Sequence, residues 1–428
     1  MVLVGNYQSE RQAFYSQFDQ YWHDLYGEEY SLLDVKYESN ETINKIRQAT
    51  KRVGSIYQKT LQLLTNLDDD TLIQLGFPKA TLEFVRLPSH SLITLLGRMD
   101  FVVQDGKIKL LEFNSDTPTF IKETFFINGK VCEYFQCEDP NQDLEELLGK
   151  SLNKGIREAW TKDRTPTIVF TSHPDHEEDY FTTLYLQKLS KVPSQYVPLS
   201  DLQIIEEDLI NGGQMVLESG VYTPEGERID ILYRPTYPVE HLVEDVAKGS
   251  QYKIGETLLR FVKDNKLILL NPPSAFLLQS KAVQAIIWGL YEEEHPYFTE
   301  EEQEWIGEHF LATYLEPDSF VQSNQKHVGK PAFGREGDTV VIYNGDGRKI
   351  AEDRQKTYRD SLQVFQEYIS LPTHTIQTEK GKQLAHIMYG CFYVHHLPMA
   401  IGIRAGGQIT DNHSYHLPIG IYELKGEN

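Results

Sequence analysis

Arg98, Asp100, Glu112 and Asn114 carry the first recognisable chemistry in this sequence. Arg98 and Asp100 stand two apart, as do Glu112 and Asn114, so each pair shares one face of an extended strand. The stretch Gly97-Arg-Met-Asp-Phe-Val-Val-Gln-Asp-Gly-Lys-Ile-Lys-Leu-Leu-Glu-Phe-Asn114 reads as a β-hairpin turning near Asp105-Gly106. A two-residue loop would send the two pairs to opposite faces. A three-residue loop, Gln104-Asp105-Gly106, with glycine in the left-handed third position, brings all four to one face, and that loop is the expectation. Two carboxylates and an amide oxygen so gathered suit a hard cation such as Mg²⁺. Arg98 beside them suits a phosphoryl group. A solvated strand face with ordinary salt bridges would give the same pattern.

A second group surrounds Lys330, in Gly329-Lys-Pro-Ala-Phe-Gly-Arg-Glu-Gly337. A lysine beside a loop bounded by Gly334 and Gly337 can approach phosphates closely, with backbone N–H groups and Arg335 covering them. Taken alone, such a loop is also an ordinary turn. His395-His396 lie in an expected turn with no third ligand at useful spacing, and Cys132 and Cys137 have no second pair, so neither reads as a metal centre. The cysteines number three, which builds no disulfide framework.

The elements that must position these groups follow from periodicity. Phe14, Phe18, Trp22 and Leu25 recur at helical spacing and read as a core stripe. A second helix is expected over about 41–65, with Ile43, Ile46, Val53, Ile56 and Leu64 inward, and Asp68 begins another. Strands dominate from 92 to 114. Short apolar runs at 167–171, 214–217, 229–233 and 267–270, with a helix over 177–190, suggest an α/β lobe. Helices over 280–292 and 300–315 precede a strand-rich remainder.

The chain has 428 residues, 40% of them hydrophobic, with no linker tract or repeat. It reads as one functional unit over 10–420, with approximate sub-lobes 1–150, 160–270 and 271–428. The net charge of −22 repels nucleic-acid backbones and attracts metal ions and polyamines, although acidic composition also serves solubility alone. The first residues lack a basic segment followed by an apolar core, and no run of about 18 apolar residues occurs. The cytoplasm is the expected compartment, without a membrane span; oligomeric state is not legible.

Leu111-Glu-Phe-Asn-Ser-Asp-Thr-Pro-Thr119 closely resembles the signature of the glutathionylspermidine synthases, which couple glutathione to spermidine using ATP. Gly97-Arg-Met-Asp100, Asp230–Glu240, Gly329–Gly337, Phe365–Tyr368 and Gly402-Ile-Arg404 leading to Ile409–Asn412 belong to the same pattern, in family order. The resemblance implies an α/β ATP-grasp fold whose lobes close on Mg-ATP. It makes Asp100, Glu112 and Asn114 magnesium ligands, and Arg98 and Arg404 the catalytic arginines. Lys281 joins Lys330 on the phosphates, and Gln366, Glu367 and Tyr368 hold adenine. Thr117 and Thr119 line the substrate end. In the relatives an acidic pair meets the polyamine, and Glu177-Glu178 is the candidate here, although an acidic run also favours a helix start without function. No amidase segment is recognised. Ala405, Phe392 and the segment Tyr415–Ile419 depart from the family near the substrate end, so the substrates are expected only as classes, a peptide-like acid and a polyamine-like amine. The expected reaction is ATP-dependent amide formation through an acyl phosphate; the alternatives on the same site are phosphotransfer and ATP binding without turnover.

Overall fold

The computed structural model describes residues 4–87, 92–334, 337–410 and 413–422. At its centre is a six-stranded antiparallel sheet. Its order runs Tyr415–Leu417, Leu397–Gly406, Gly381–Val394, Leu96–Gln104, Lys107–Asn114, and Thr373–Thr378 pairs with the first half of the long strand Gly381–Val394. The acidic hairpin, near residue 100, is thus held by strands some 290 residues later; Gly390 stands opposite Asp100 and Phe392 opposite Arg98.

The helix Asn40–Leu64 lies across this sheet. Ser39 caps it, its side chain accepting from the Thr42 N–H, and Ile43, Ile46, Val53, Ile56 and Leu64 are all buried as expected. Each such aliphatic side chain contributes roughly 1.5–3 kcal/mol by leaving water. Tyr57 joins helix to hairpin, its ring centroid 4.9 Å from that of Phe113.

A second, parallel sheet has the order Ile268–Leu270, Ile231–Tyr233, Ile168–Phe170, Gln195–Tyr196. Its three longer strands are short apolar runs, and nearly every residue in them is buried, as strands covered on both faces require. The helix Glu177–Ser190 is the crossover from Ile168–Phe170 to Gln195–Tyr196, with the bounds that periodicity gave it. A third, five-stranded sheet has the order Thr313–Tyr314, Gln363–Glu367, His327–Pro331, Val341–Tyr343, Lys349–Glu352. It carries the second candidate group.

Two expectations fail locally. The first helix ends at Tyr15, so Trp22 and Leu25 are not on it. Arg11 draws the following chain back across the helix, donating to Ser31 O at 2.7 Å and pairing with Asp24 at 2.6 Å. Trp22 still reaches the core, by a turn rather than by helical periodicity. The helix expected over 300–315 stops at His309 because Thr313–Tyr314 is needed as the edge strand beside Gln363–Glu367.

Candidate active site

The acidic hairpin closes with the two-residue loop Asp105-Gly106, both at positive φ (51° and 75°), not with the three-residue loop. The pairs nevertheless share a face, because the strand Lys107–Asn114 carries a β-bulge. Phe101 opposes Leu110 and Asp100 opposes Glu112, leaving Leu111 without a partner. That extra residue restores the parity which the short loop removes, and Arg98 falls opposite Asn114.

Arg98 grips Asp100 with both prongs, Nε to Oδ1 at 2.7 Å and Nη2 to Oδ2 at 2.9 Å, and donates to Thr119 O at 2.8 Å. Asn114 Nδ2 lies 3.2 Å from Asp100 Oδ2 and 3.5 Å from Glu112 Oε1. Lys281 Nζ is 3.0 Å from Glu112 Oε2 and 3.0 Å from Gly334 O, so it bridges the hairpin and the glycine loop. Burial alone would raise the Glu112 carboxyl, but the Lys281 and Lys330 ammoniums, with Arg98, overcome it and hold the group at about 2. Burial pushes Lys330 down to about 8, with Glu112 opposing the fall and Lys281 adding to it.

Glu112, Lys281, Lys330 and Arg404 line a cleft of about 850 Å³, its open mouth included. Val328, Ile342, Leu371 and Met388 also line it, as do Glu367, Tyr368 and Ile369. Gly334 and Gly337 border it as well; Gly337 has φ +71°, and a Cβ there would stand 2.2 Å from Thr410 O. Arg335 lies outside the described residues, as do Asp411 and Asn412.

The remaining expected residues separate. Thr117 is buried, and its hydroxyl has no hydrogen-bond partner among the described residues. Thr119 is exposed and meets Arg98 through its carbonyl. Glu177 and Glu178 open their helix behind the His176 cap, outside the lining of the cleft; their fields fall on His23 and Tyr30 respectively. Gln366 does not offer its side chain to a base. Its polar atoms face Lys330, Gln284 and Thr313. The N–H of Tyr368 is likewise taken, by Lys326 O at 3.2 Å.

The family model described as "Glutathionylspermidine synthase preATP-grasp" matches residues 5–422. The chain belongs to this family. The Haemophilus influenzae (strain KW20 Rd) protein named "Putative acid--amine ligase" is 22% identical to this synthase-family chain over 341 residues, 76% of this chain and 74% of that protein. The ATP-grasp fold expected from the resemblance is the fold observed. It is shared with the apo form of a glutathione synthetase-like effector (GSS30) from Globodera pallida, at a TM-score of 0.56 and 10% identity over 91% of this chain and 89% of that one.

Three residues of this synthase-family chain escaped the sequence reading. Glu240 lines a smaller cavity with Glu112, Asn114, Gln279 and Lys281. Its place after Pro238-Val239 was quoted in a motif, but no periodicity singled it out. Gln284 sits one turn into the helix after Lys281 and looks like any helix glutamine. Gly390 lies beneath the arginine–aspartate pair, where a Cβ would stand 2.9 Å from Arg98 Cδ and 3.2 Å from Asp100 Oδ1. Gly390→Ala is therefore expected to displace that pair and lower turnover by about 100-fold, because small misplacements at reacting groups are costly. Steady-state kinetics beside a thermal melt tests this; a variant with wild-type turnover would show that the pair tolerates displacement.

Proposed function

We propose that this chain is a Mg²⁺- and ATP-dependent ligase that joins a peptide-like carboxylate to a polyamine-like amine. One observation carries the reading: a single cleft is lined by two lysines, an arginine, Glu112 of the acidic hairpin, and apolar side chains. Arg98, Lys281, Lys330 and Arg404 gather around Asp100 and Glu112, while Asp338 and Glu367 also line the cleft, so cations are concentrated at the hairpin inside a chain of net charge −22. That concentration complements magnesium-bound triphosphate and would be unnecessary for a neutral ligand. Family membership and fold support ligase chemistry of the acid–amine kind.

Asp100, Glu112 and Asn114 are the residues that would hold the magnesium ion. Asp100, Glu112 and Asn114 offer only oxygen to a cation once the Asn114 carboxamide turns its oxygen inward, and an all-oxygen set suits Mg²⁺. No cluster of three or more His, Cys, Asp or Glu side chains competes for it among the described residues. Bound there, the ion would neutralise the phosphate oxygens.

In this reading Lys281 and Lys330 hold the triphosphate, and the segment 366–369, which lines the cleft, meets adenine. The carboxylate of the acid attacks the γ-phosphorus and ADP leaves. The amine then attacks the acyl carbon, the C–O bond to phosphate breaks, and inorganic phosphate departs. Phosphoryl transfer needs positioning and charge neutralisation more than a protein nucleophile. Arg98 and Arg404 are the groups assigned to the transferring phosphoryl. Thr117 lines the acid end. Glu177 and Glu178 are assigned to the amine, as a field outside the nucleotide cleft. The protein is proposed to act in the cytoplasm; no helix among the described residues is long and apolar enough to cross a membrane.

Phosphate release tests the reading, measured with Mg-ATP over pairs of acids and amines beginning with glutathione and spermidine. Release that requires both partners, with an amide seen by mass spectrometry, supports the ligase. A stable phosphoester would instead mark a phosphotransferase, and nucleotide binding with no release across the panel a binding protein.

Lys330 supplies a second test. Its ordinary value is near 10.4, so a folded value of about 8 leaves it part-neutral at pH 8.5, and bound triphosphate raises it again. ATP binding at pH 8.5 is therefore expected to take up protons, and binding at pH 6.5 to take up none through this group. Calorimetry in two buffers of different ionisation enthalpy reads the difference. Equal enthalpies in both buffers at pH 8.5 would remove Lys330 from the phosphate site.

A further inference from the structure

Lys330 is held by a chain of side-chain amides that no motif marks. Its ammonium donates to Gln366 Oε1 at 2.7 Å. Gln366 Nε2 donates to Gln284 Oε1 at 3.0 Å and to Thr313 Oγ1 at 3.3 Å. Gln366, Gln284 and Thr313 are all deeply buried. Amide oxygen and nitrogen are told apart by their partners, and here the partners leave one answer. The Thr313 hydroxyl commits its proton to Leu311 O at 2.9 Å, so its oxygen accepts. Gln284 Nε2 donates to Leu111 O at 3.1 Å, so its Oε1 must face Gln366. With both hydrogens of its amide nitrogen so placed, Gln366 turns its carbonyl to Lys330. The chain starts at Leu111, the bulge residue that has no partner across the ladder of the acidic hairpin.

We propose that Gln284 and Thr313 are positioning residues that, by fixing the Gln366 carbonyl, hold the Lys330 ammonium at the phosphate end of the cleft, and that the bulge at Leu111 ties this setting to the acidic hairpin. The proposal rests on the cleft being the ATP site. Removing both anchors lets the Gln366 amide turn over and present N–H groups to a buried ammonium. Two donors then face each other, and Lys330 leaves its setting. Neither Thr313 nor Gln284 lines the cleft, and both bear on Lys330 through Gln366, so their effect falls on the phosphates and not on the base.

Adenosine, which has no phosphate, separates this from a packing defect. In the full-length protein, Gln284→Met combined with Thr313→Val is expected to weaken ATP binding by about 10-fold, the loss of one hydrogen bond to a charged group, and to raise the KM for ATP in parallel. Adenosine affinity stays at the wild-type value. Each single substitution leaves one anchor and is expected to cost less than half of that loss on a logarithmic scale. Thr313→Ser in place of Thr313→Val keeps the accepting hydroxyl, so combined with Gln284→Met it is expected to restore ATP affinity to within about 3-fold of wild type. ATP affinity unchanged in the double variant overturns the proposal. So does a fall in ATP and adenosine affinity in step, which would show a structural role only. Should the double variant not fold, the single variants carry the same comparison. If the wild-type protein binds neither ATP nor adenosine, the ATP reading of the cleft fails, and the positioning role falls with it.

Discussion

Glu112→Ala is expected to lower ligase turnover by about 1,000-fold while the fold persists. Removing one preorganised charge at a phosphoryl-transfer site costs a factor of this order, and Glu112 acts on three partners. It is one of the two carboxylates proposed for the metal, it pairs with Lys281 at 3.0 Å, and it opposes the fall of Lys330. Without it two lysine ammoniums face each other across the cleft, and the apparent magnesium requirement rises. The fold should survive because Glu112 belongs to the cleft wall and not to the buried aromatic contact of Tyr57 and Phe113. Stability against pH gives an independent reading. The carboxyl sits at about 2 when folded, against about 4.3 when unfolded. Its stabilising contribution is therefore complete above pH 4.3 and disappears as pH falls towards 2. Acid unfolding of the variant should lack that component. Near-normal turnover with an unchanged magnesium requirement would show that the hairpin is not the metal site.

Asp116→Ala is expected to destabilise the protein by about 3–5 kcal/mol, the range found when one partner of a buried ion pair is removed. Arg234 meets Asp116 with two N–H groups, at 3.1 and 2.8 Å, and the Val239 N–H donates to the same carboxylate at 3.0 Å. Both side chains are about 1% exposed or less, so nothing replaces the lost anion. The pair pins the segment after Ile231–Tyr233, which carries Glu240, against the segment after the acidic hairpin, which carries Thr117. Denaturant unfolding of Asp116→Ala beside Asp116→Leu with Arg234→Met tests the argument. The double variant should recover much of the loss, since well-packed apolar groups stand in for buried pairs at little cost. A single variant as stable as wild type would remove the pair as the pin.

Periodicity recovered those parts of the molecule whose burial is local. The helix Asn40–Leu64 shows its inward stripe because one face meets the sheet along its length. The buried strands of the parallel sheet are visible as apolar runs for a similar reason. The segment 16–25 was misread because Trp22 reaches the core through a chain reversal held by Arg11, and aromatic spacing cannot tell a reversal from a helical turn. At the site, Asp100 and Glu112 were legible as residue types at strand spacing. Their facing was reached by the wrong route, since the loop was taken to set the parity and a bulge sets it. Gln366 was placed on adenine because the segment as a whole borders the cleft; which way its amide points depends on Gln284 and Thr313, some 82 and 53 residues earlier. Side-chain networks of that span leave no trace in local spacing.

The bulge also divides the hairpin's work along a line that genetics can cut. Leu110 opposes Phe101 and Glu112 opposes Asp100 whether or not a residue stands between them. Losing the single codon for Leu111 would therefore regularise the strand and leave the acidic face in register, while taking away the carbonyl that anchors Gln284. Losing a neighbouring codon such as that for Phe113 would instead reverse the facing of Asn114. A library of one-residue deletions would thus sort this strand into a position that communicates with the lysine and positions proposed to hold the metal, a distinction invisible to any series of substitutions that leaves the backbone count unchanged.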